Sequence, residues 1–219
     1  MKTSVLSKPE ESRDRLAELG LDEVIFAQAI QRGQAIAAGY TPNHPAICRG
    51  ISQWGEVVAA IREQLLPRGW TRMDDDNFAL TVNPTRTIAI SVSTGDELTG
   101  IADAIPSTSS AKGPRTAGAV VVNALQLDLF GNVPLKPEEL SKGANGVMTW
   151  ILLFHRDVTA QETRFELSRP VKMDSDGHVI VWVERIIFPV LPFGTDGVLS
   201  PADVPLSPEI VPEVKRKRA

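Results

Sequence analysis

Phe78-Ala79-Leu80-Thr81-Val82-Asn83-Pro84-Thr85-Arg86-Thr87-Ile88-Ala89-Ile90-Ser91-Val92 is the stretch whose reading decides the fold. Phe78, Leu80 and Val82 alternate with Ala79 and Thr81. The turn-like Asn83-Pro84-Thr85-Arg86 follows, and Ile88, Ile90 and Val92 alternate on the return. A period of two on both sides of a turn predicts a β-hairpin. A slip of one residue sends every side chain of a strand to the other face. Pairing Phe78 with Val92, Leu80 with Ile90 and Val82 with Ile88 puts all six apolar groups on one face, and that register is expected.

Upstream of the hairpin the period is helical. Ser7 and Glu10 have capping-box spacing, Pro9 suits a first turn, and Gly20 can end the helix. Asp22 caps a second helix, in which Phe26, Ile30, Gly33 and Ala37 share a stripe narrow enough for close approach. After the loop from Gly39 to Pro45, a third helix starts near Ser52. It carries Trp54, Val57, Val58, Ile61 and Leu65 on one face and stops at Pro67 and Gly69. Downstream, strands are expected at 119–129, 147–155, 164–168 and 178–188, the last two flanking the turn Asp174-Ser175-Asp176-Gly177. A short helix is expected at 98–105.

The strands at 147–155 and 178–188 are apolar on both faces, so both faces must be covered. Three helices cover one. The other needs the C-terminal segment, the Ser/Thr-rich loop or a second copy of the chain, and a homodimer is one of these readings. Glu184 and Arg185 interrupt the last strand, as a partly buried ion pair or an interface element. The sequence thus predicts one α+β domain over 1–188, with helices over 1–70 packed on a mainly antiparallel sheet of about six strands over 77–188. An extended proline-rich tail over 189–219 ends in Lys215-Arg216-Lys217-Arg218.

At 219 residues the chain can bury roughly 70% of its unfolded surface and needs no staple. Its 23 basic and 27 acidic residues argue against coating nucleic acid or anionic membranes, leaving the basic tail as the one place for such contacts. The single cysteine, Cys48, excludes a disulfide framework and points to a reducing compartment. The N-terminus lacks a secretory pattern, and the longest apolar runs, 147–154 and 186–193, fall short of the ~20 residues of a membrane span. A cytoplasmic protein is expected.

Two constellations carry candidate chemistry. Extending the hairpin register places Asp76 beside Thr94 and Asp74 near Asp96, gathering Asp74, Asp75, Asp76, Asp96 and Glu97 at one end. Clustered carboxylates suit Mg²⁺ or Mn²⁺, which can activate water against a phosphoryl group. The competing reading is a solvated, Asp-capped turn. The second is the long segment 94–117, where Ser109, Ser110, Lys112 and Arg115 can cradle a phosphate or an acidic partner; its competing reading is a flexible surface loop. It is not a Walker A loop, and no nucleophile elbow is present. His44 and Cys48 sit four apart, but Pro45 extends the chain between them. His44, His155 and His178 share no ligand motif.

Trp54-Gly55, the run Ala79-Leu80-Thr81-Val82-Asn83-Pro84, Thr94-Gly95-Asp96-Glu97-Leu98-Thr99-Gly100, Asn123-Ala124-Leu125-Gln126 and Val183-Glu184-Arg185-Ile186 resemble uncharacterised proteins of bacterial plasmids and integrated mobile elements. The similarity covers most of 40–190 and lends no catalytic residues. It implies a bacterial cytosolic setting and accessory roles such as regulation or anti-defence. The expected function is that of a non-catalytic binding or regulatory protein, without cofactor, acting through a protein partner. The alternative is a metal-dependent phosphodiester hydrolase using Asp74, Asp76, Asp96 and Glu97.

Overall fold

The computed structural model describes residues 3–75, 78–128 and 146–193. In chain order its elements are β1 (Ser4–Leu6), α1 (Pro9–Glu18), α2 (Glu23–Ala38), α3 (Ala46–Leu65), β2 (Thr71–Asp75), β3 (Phe78–Val82), β4 (Ile88–Thr94), α4 (Pro114–Asp128), β5 (Met148–Asp157), β6 (Glu162–Met173), β7 (Val179–Ile187) and β8 (Leu191–Pro192). One sheet runs β1-β7-β6-β5-β4-β3-β2, with β8 also on β6. Its pairs are antiparallel except β1–β7 and β4–β5. The α+β class and mainly antiparallel sheet agree with expectation. Among the described residues there are four α-helices and eight strands, where three N-terminal helices, a short helix at 98–105 and about six strands were expected. β2 escapes a hydrophobic reading because it is an edge strand, charged and largely exposed.

Helices α1 to α3 cover one face. Phe26, Ile30 and Ile61 pack there on Trp150, Leu152 and Phe154 of β5 and on Phe165 and Phe188. Asp22 caps α2 by accepting from the Ile25 amide at 3.2 Å. α1 differs from expectation: its N-cap is Lys8, with no side-chain cap, in place of Ser7. α3 starts at Ala46, a turn and a half before Ser52.

The opposite face is covered by α4 and by residues 95–113. The stretch expected as a strand over 119–129 is helical through Asp128, the last described residue of α4. Its valines favour strands, but Thr116, Ala119, Val120 and Asn123 are buried at i, i+3, i+4 and i+7. The parallel β4–β5 pair supplies the physical reason, since parallel neighbours need a long crossover and α4 provides it. Asn123 then fills a gap that the sheet itself creates. The β5–β6 ladder ends at Ile151 opposite Ser168, and Pro170, two residues on, has no N–H to continue it. The Asn123 amide takes over, donating to the carbonyls of Thr149 (2.7 Å) and Pro170 (2.9 Å) and accepting from the Thr149 N–H (2.9 Å).

The hairpin register also differs. Thr81 lies opposite Ile90 and Val82 opposite Ala89, one residue away from the expected pairing. The turn sets this. The Asn83 N–H donates to the Ile88 carbonyl at 2.9 Å, Asn83 Oδ1 accepts from Thr87 and Ile88, and Arg86 adopts φ +56°. Because both sheet faces are covered, the strands need no common apolar side. Leu80, Val82 and Ala89 cluster with Val147, whereas Ile90 joins the core under the helices.

Residues 95–113 are fastened, not a flexible loop, and 98–105 forms successive turns in place of the expected helix. Glu166 and Arg185, 0% and 2% exposed, form a buried pair beneath them, with Arg185 Nε and Nη2 reaching the carboxylate at 2.9 and 2.6 Å. The remaining guanidinium donors go to the carbonyls of Ile101 (3.1 Å) and Ala104, and Glu166 accepts from the Gly100 N–H at 2.9 Å. Glu184 faces the other way, onto Arg15 of α1, so adjacent charges serve opposite faces as strand alternation requires. The start of the expected tail belongs to the sheet: β8 pairs with β6, and the Phe193 N–H donates to the Gln161 carbonyl at 2.8 Å. Residues 194–219, with the basic Lys215–Arg218 end, lie outside the described residues.

Two stability outcomes are expected. A Cβ on Gly33 would lie 2.6 Å from Val57 Cγ2 and 3.2 Å from the Gln53 carbonyl. Gly33→Ala gains about 1 kcal/mol of helix propensity and loses about 1–3 to overpacking, so the urea midpoint should fall. Arg185→Met strands a buried carboxylate and should lose about 3–5 kcal/mol in urea unfolding. The double replacement Glu166→Leu with Arg185→Met should recover part of that loss.

Candidate functional site

Beyond Thr81–Ile90 the β3–β4 ladder stops, although both strands continue. Alternate residues of a strand turn their backbone groups toward the same neighbour, so Ile90, Val92 and Thr94 address β3. The last two find other partners. The Trp54 indole N–H of α3 donates to the Val92 carbonyl at 3.0 Å, and the Ser109 N–H to the Thr94 carbonyl at 3.0 Å. The sheet opens between Phe78-Ala79 and Ser91-Val92-Ser93, and a chamber of about 170 Å³ occupies the opening, lined also by Ile151 and Thr116.

A wider cleft of about 500 Å³ lies outside it, between the first turns of α3 and the end of β4. Ile47 and Ile51, 67% and 56% exposed, form its apolar ledge. Thr94 and Ser110 form its hydroxylated side. Trp54, Val92, Ser93 and Lys112 border both spaces.

Lys112 stands at this junction. Its N–H donates to the Gly177 carbonyl at 2.8 Å, and Nζ donates to Ser110 Oγ at 3.1 Å. Among the described residues no carboxylate pairs with Nζ. Burial holds its pKa below the ordinary lysine value. A half-buried ammonium without a counter-ion is unfavourable, and an incoming anion relieves it.

Of the four residues expected to bind an anion, Lys112 and Ser110 come together in the cleft. Ser109 turns its hydroxyl onto Thr94, and Arg115 pairs with Asp75 at 3.0 Å. Among the described residues, the expected carboxylates are engaged separately. Asp74 is bound by Arg62, and Asp96 closes a turn by accepting from the N–H groups of Leu98 (3.2 Å) and Ser107 (3.0 Å). The Glu97 carbonyl receives Arg164 at 2.8 Å. Asp76 lies outside the described residues, and among those described there is no group of three or more His, Cys, Asp or Glu able to hold a metal. The strand arrangement is the cause: Asp74 belongs to β2, which runs antiparallel to β3 with Asp74 opposite Ala79, and does not continue the line of β3 toward Asp96.

His178 Nδ1 lies 2.7 Å from the Thr108 carbonyl and His155 Nδ1 3.4 Å from that of Gly95, so both clip the 95–113 segment. His44 Nδ1 accepts from the Thr41 N–H at 3.1 Å, and Cys48 is a free thiol. No helix of the described residues is long and apolar enough to cross a membrane. Sequence reasoning missed Ile47, Ile51 and the outward role of Trp54. Their spacing with Val58, at i, i+4, i+7 and i+11, was the available signal.

Compared with known proteins, the chain matches no family model, no curated protein and no solved structure.

Folding lowers the Lys112 pKa, so the unfolded chain holds that proton more tightly and stability rises with pH as Lys112 deprotonates. Lys112→Met removes this dependence. The variant should melt above the parent at neutral pH, and the gap should close as pH is raised toward ~10; paired melting curves across that range check it.

Proposed function

We propose that this chain is a non-catalytic binding protein that engages a protein partner through the cleft between α3, β4 and residues 107–113. The observation that carries the reading is Lys112, a half-buried ammonium with no carboxylate partner among the described residues, set between an apolar ledge and a hydroxylated wall. Such a site offers apolar contact and one uncompensated positive charge, the combination that fixes the orientation of an anionic group in a mostly apolar pocket. Ile47 and Ile51 extend the apolar surface beyond the pocket, which suits a macromolecule better than a small metabolite. The regulatory setting implied by the mobile-element resemblance is compatible with this reading.

Tagged protein, purified from its native host, should retain a stoichiometric partner. Lys112→Glu and Ile51→Asp, each on a folded chain, should release it, with binding weakened at least tenfold when the pair is reconstituted. Retention by both variants would move the interface elsewhere, and a monodisperse protein without a partner would count against a binding role.

A further inference from the structure

Resting on the proposed cleft, we infer that its ligand is the C-terminal end of a partner polypeptide, with the free carboxylate at Lys112 and the last side chain in the chamber between β3 and β4. The chamber adjoins the cleft, with Trp54, Val92, Ser93 and Lys112 bordering both. Its volume of about 170 Å³ exceeds the ~150 Å³ that admits benzene in an engineered cavity, so a Val- or Leu-sized group fits. Trp54, Phe78, Val92 and Ile151 give it apolar walls, beside the hydroxyl residues Ser91, Ser93 and Thr116.

The position of the ammonium decides between sources of negative charge. Lys112 borders both spaces, so a group bound there has the chamber on one side and the ledge on the other. A C-terminal residue carries its carboxylate and its side chain on the same Cα, and the two can diverge to Nζ and to the chamber while the preceding residues lie along Ile47 and Ile51. The carboxylate of an internal Asp or Glu ends its side chain, and a phosphorylated serine ends in its phosphate. Either would neutralise Lys112 and leave the chamber and its apolar walls unfilled. Capture of a terminal carboxylate is a recurring mode of peptide recognition, and the Ser110 hydroxyl, 3.1 Å from Nζ, is placed to share it.

The test uses the full chain and the fluorescence of Trp54, which is half-buried at the junction while Trp70, Trp150 and Trp182 are buried in the cores. Three peptide mixtures, each randomised at four positions, end in Leu with a free carboxylate, in Leu with an amide, or in Glu with an amide; inorganic phosphate is a fourth probe. The free-acid mixture should bind at least tenfold more tightly than either amide. Lys112→Met should abolish that advantage, and Ala79→Leu, which fills the chamber, should reduce Leu-acid binding to the level of the Glu-amide. Equal binding of acid and amide ends, or preference for the Glu-amide, overturns the C-terminal assignment and leaves the anion-binding cleft standing. Failure of all four probes to perturb Trp54 overturns both.

Discussion

The buried pair of Glu166 and Arg185 is the constraint on which the second face of the sheet depends. Neither charge is tolerable in a core alone, and each becomes so because the pair is hydrogen-bonded to its surroundings as well as to itself. The carboxylate takes Arg185, the Gly100 N–H and the Ser168 hydroxyl, while the guanidinium reaches the carbonyls of Ile101 and Ala104. An irregular segment therefore lies against a sheet without stranding its backbone groups. Gly100 is required here, with φ +76° and space that a Cβ would share with Arg164 Cβ at 2.9 Å. Trp182 and His178 extend the attachment to the carbonyls of Pro106 and Thr108, and this carries Ser110 and Lys112 to the end of β4.

The opening between β3 and β4 follows from competition for the same backbone groups. A third ladder pair, Ala79 with Val92, would close it. The Trp54 indole and the Ser109 amide instead take the carbonyls of Val92 and Thr94, so these two acceptors of β4 keep partners where the strands part. Asn123 performs the equivalent repair where Pro170 ends the β5–β6 ladder. The two repairs differ in consequence. Asn123 is 1% exposed and seals its gap, whereas Trp54 leaves a chamber beside it that Lys112 also borders.

Much of the fold was legible where pattern and environment coincide. The α2 cap at Asp22, the stop of α3 near Gly69, the two-faced apolar strands and the helical cover on one face all follow from local chemistry and periodicity. The hairpin was recognised but its register was not, because one-sided burial was assumed and both faces are covered. The helix at 114–128 was missed for a related reason: a run of valines reads as strand until the parallel pair on either side demands a crossover. Of the site, Ser110 and Lys112 stood out as hydroxyl and cation in a long segment. Ile47, Ile51 and Trp54 did not, since an apolar stripe reads as core unless its surroundings are known.

By itself, the sequence determined the class of the protein, an α+β domain with helices leading into a mainly antiparallel sheet, since periodicity, caps and turn residues act within a few residues of one another. Only the tertiary structure decided which carbonyls each strand surrenders and which charges find partners. Those outcomes depend on groups far apart in the chain, Trp54 with Val92 and Arg185 with Ile101. The same holds for Lys112, whose character comes from burial beside an opening in the sheet and from the carboxylates that packing turned toward other arginines.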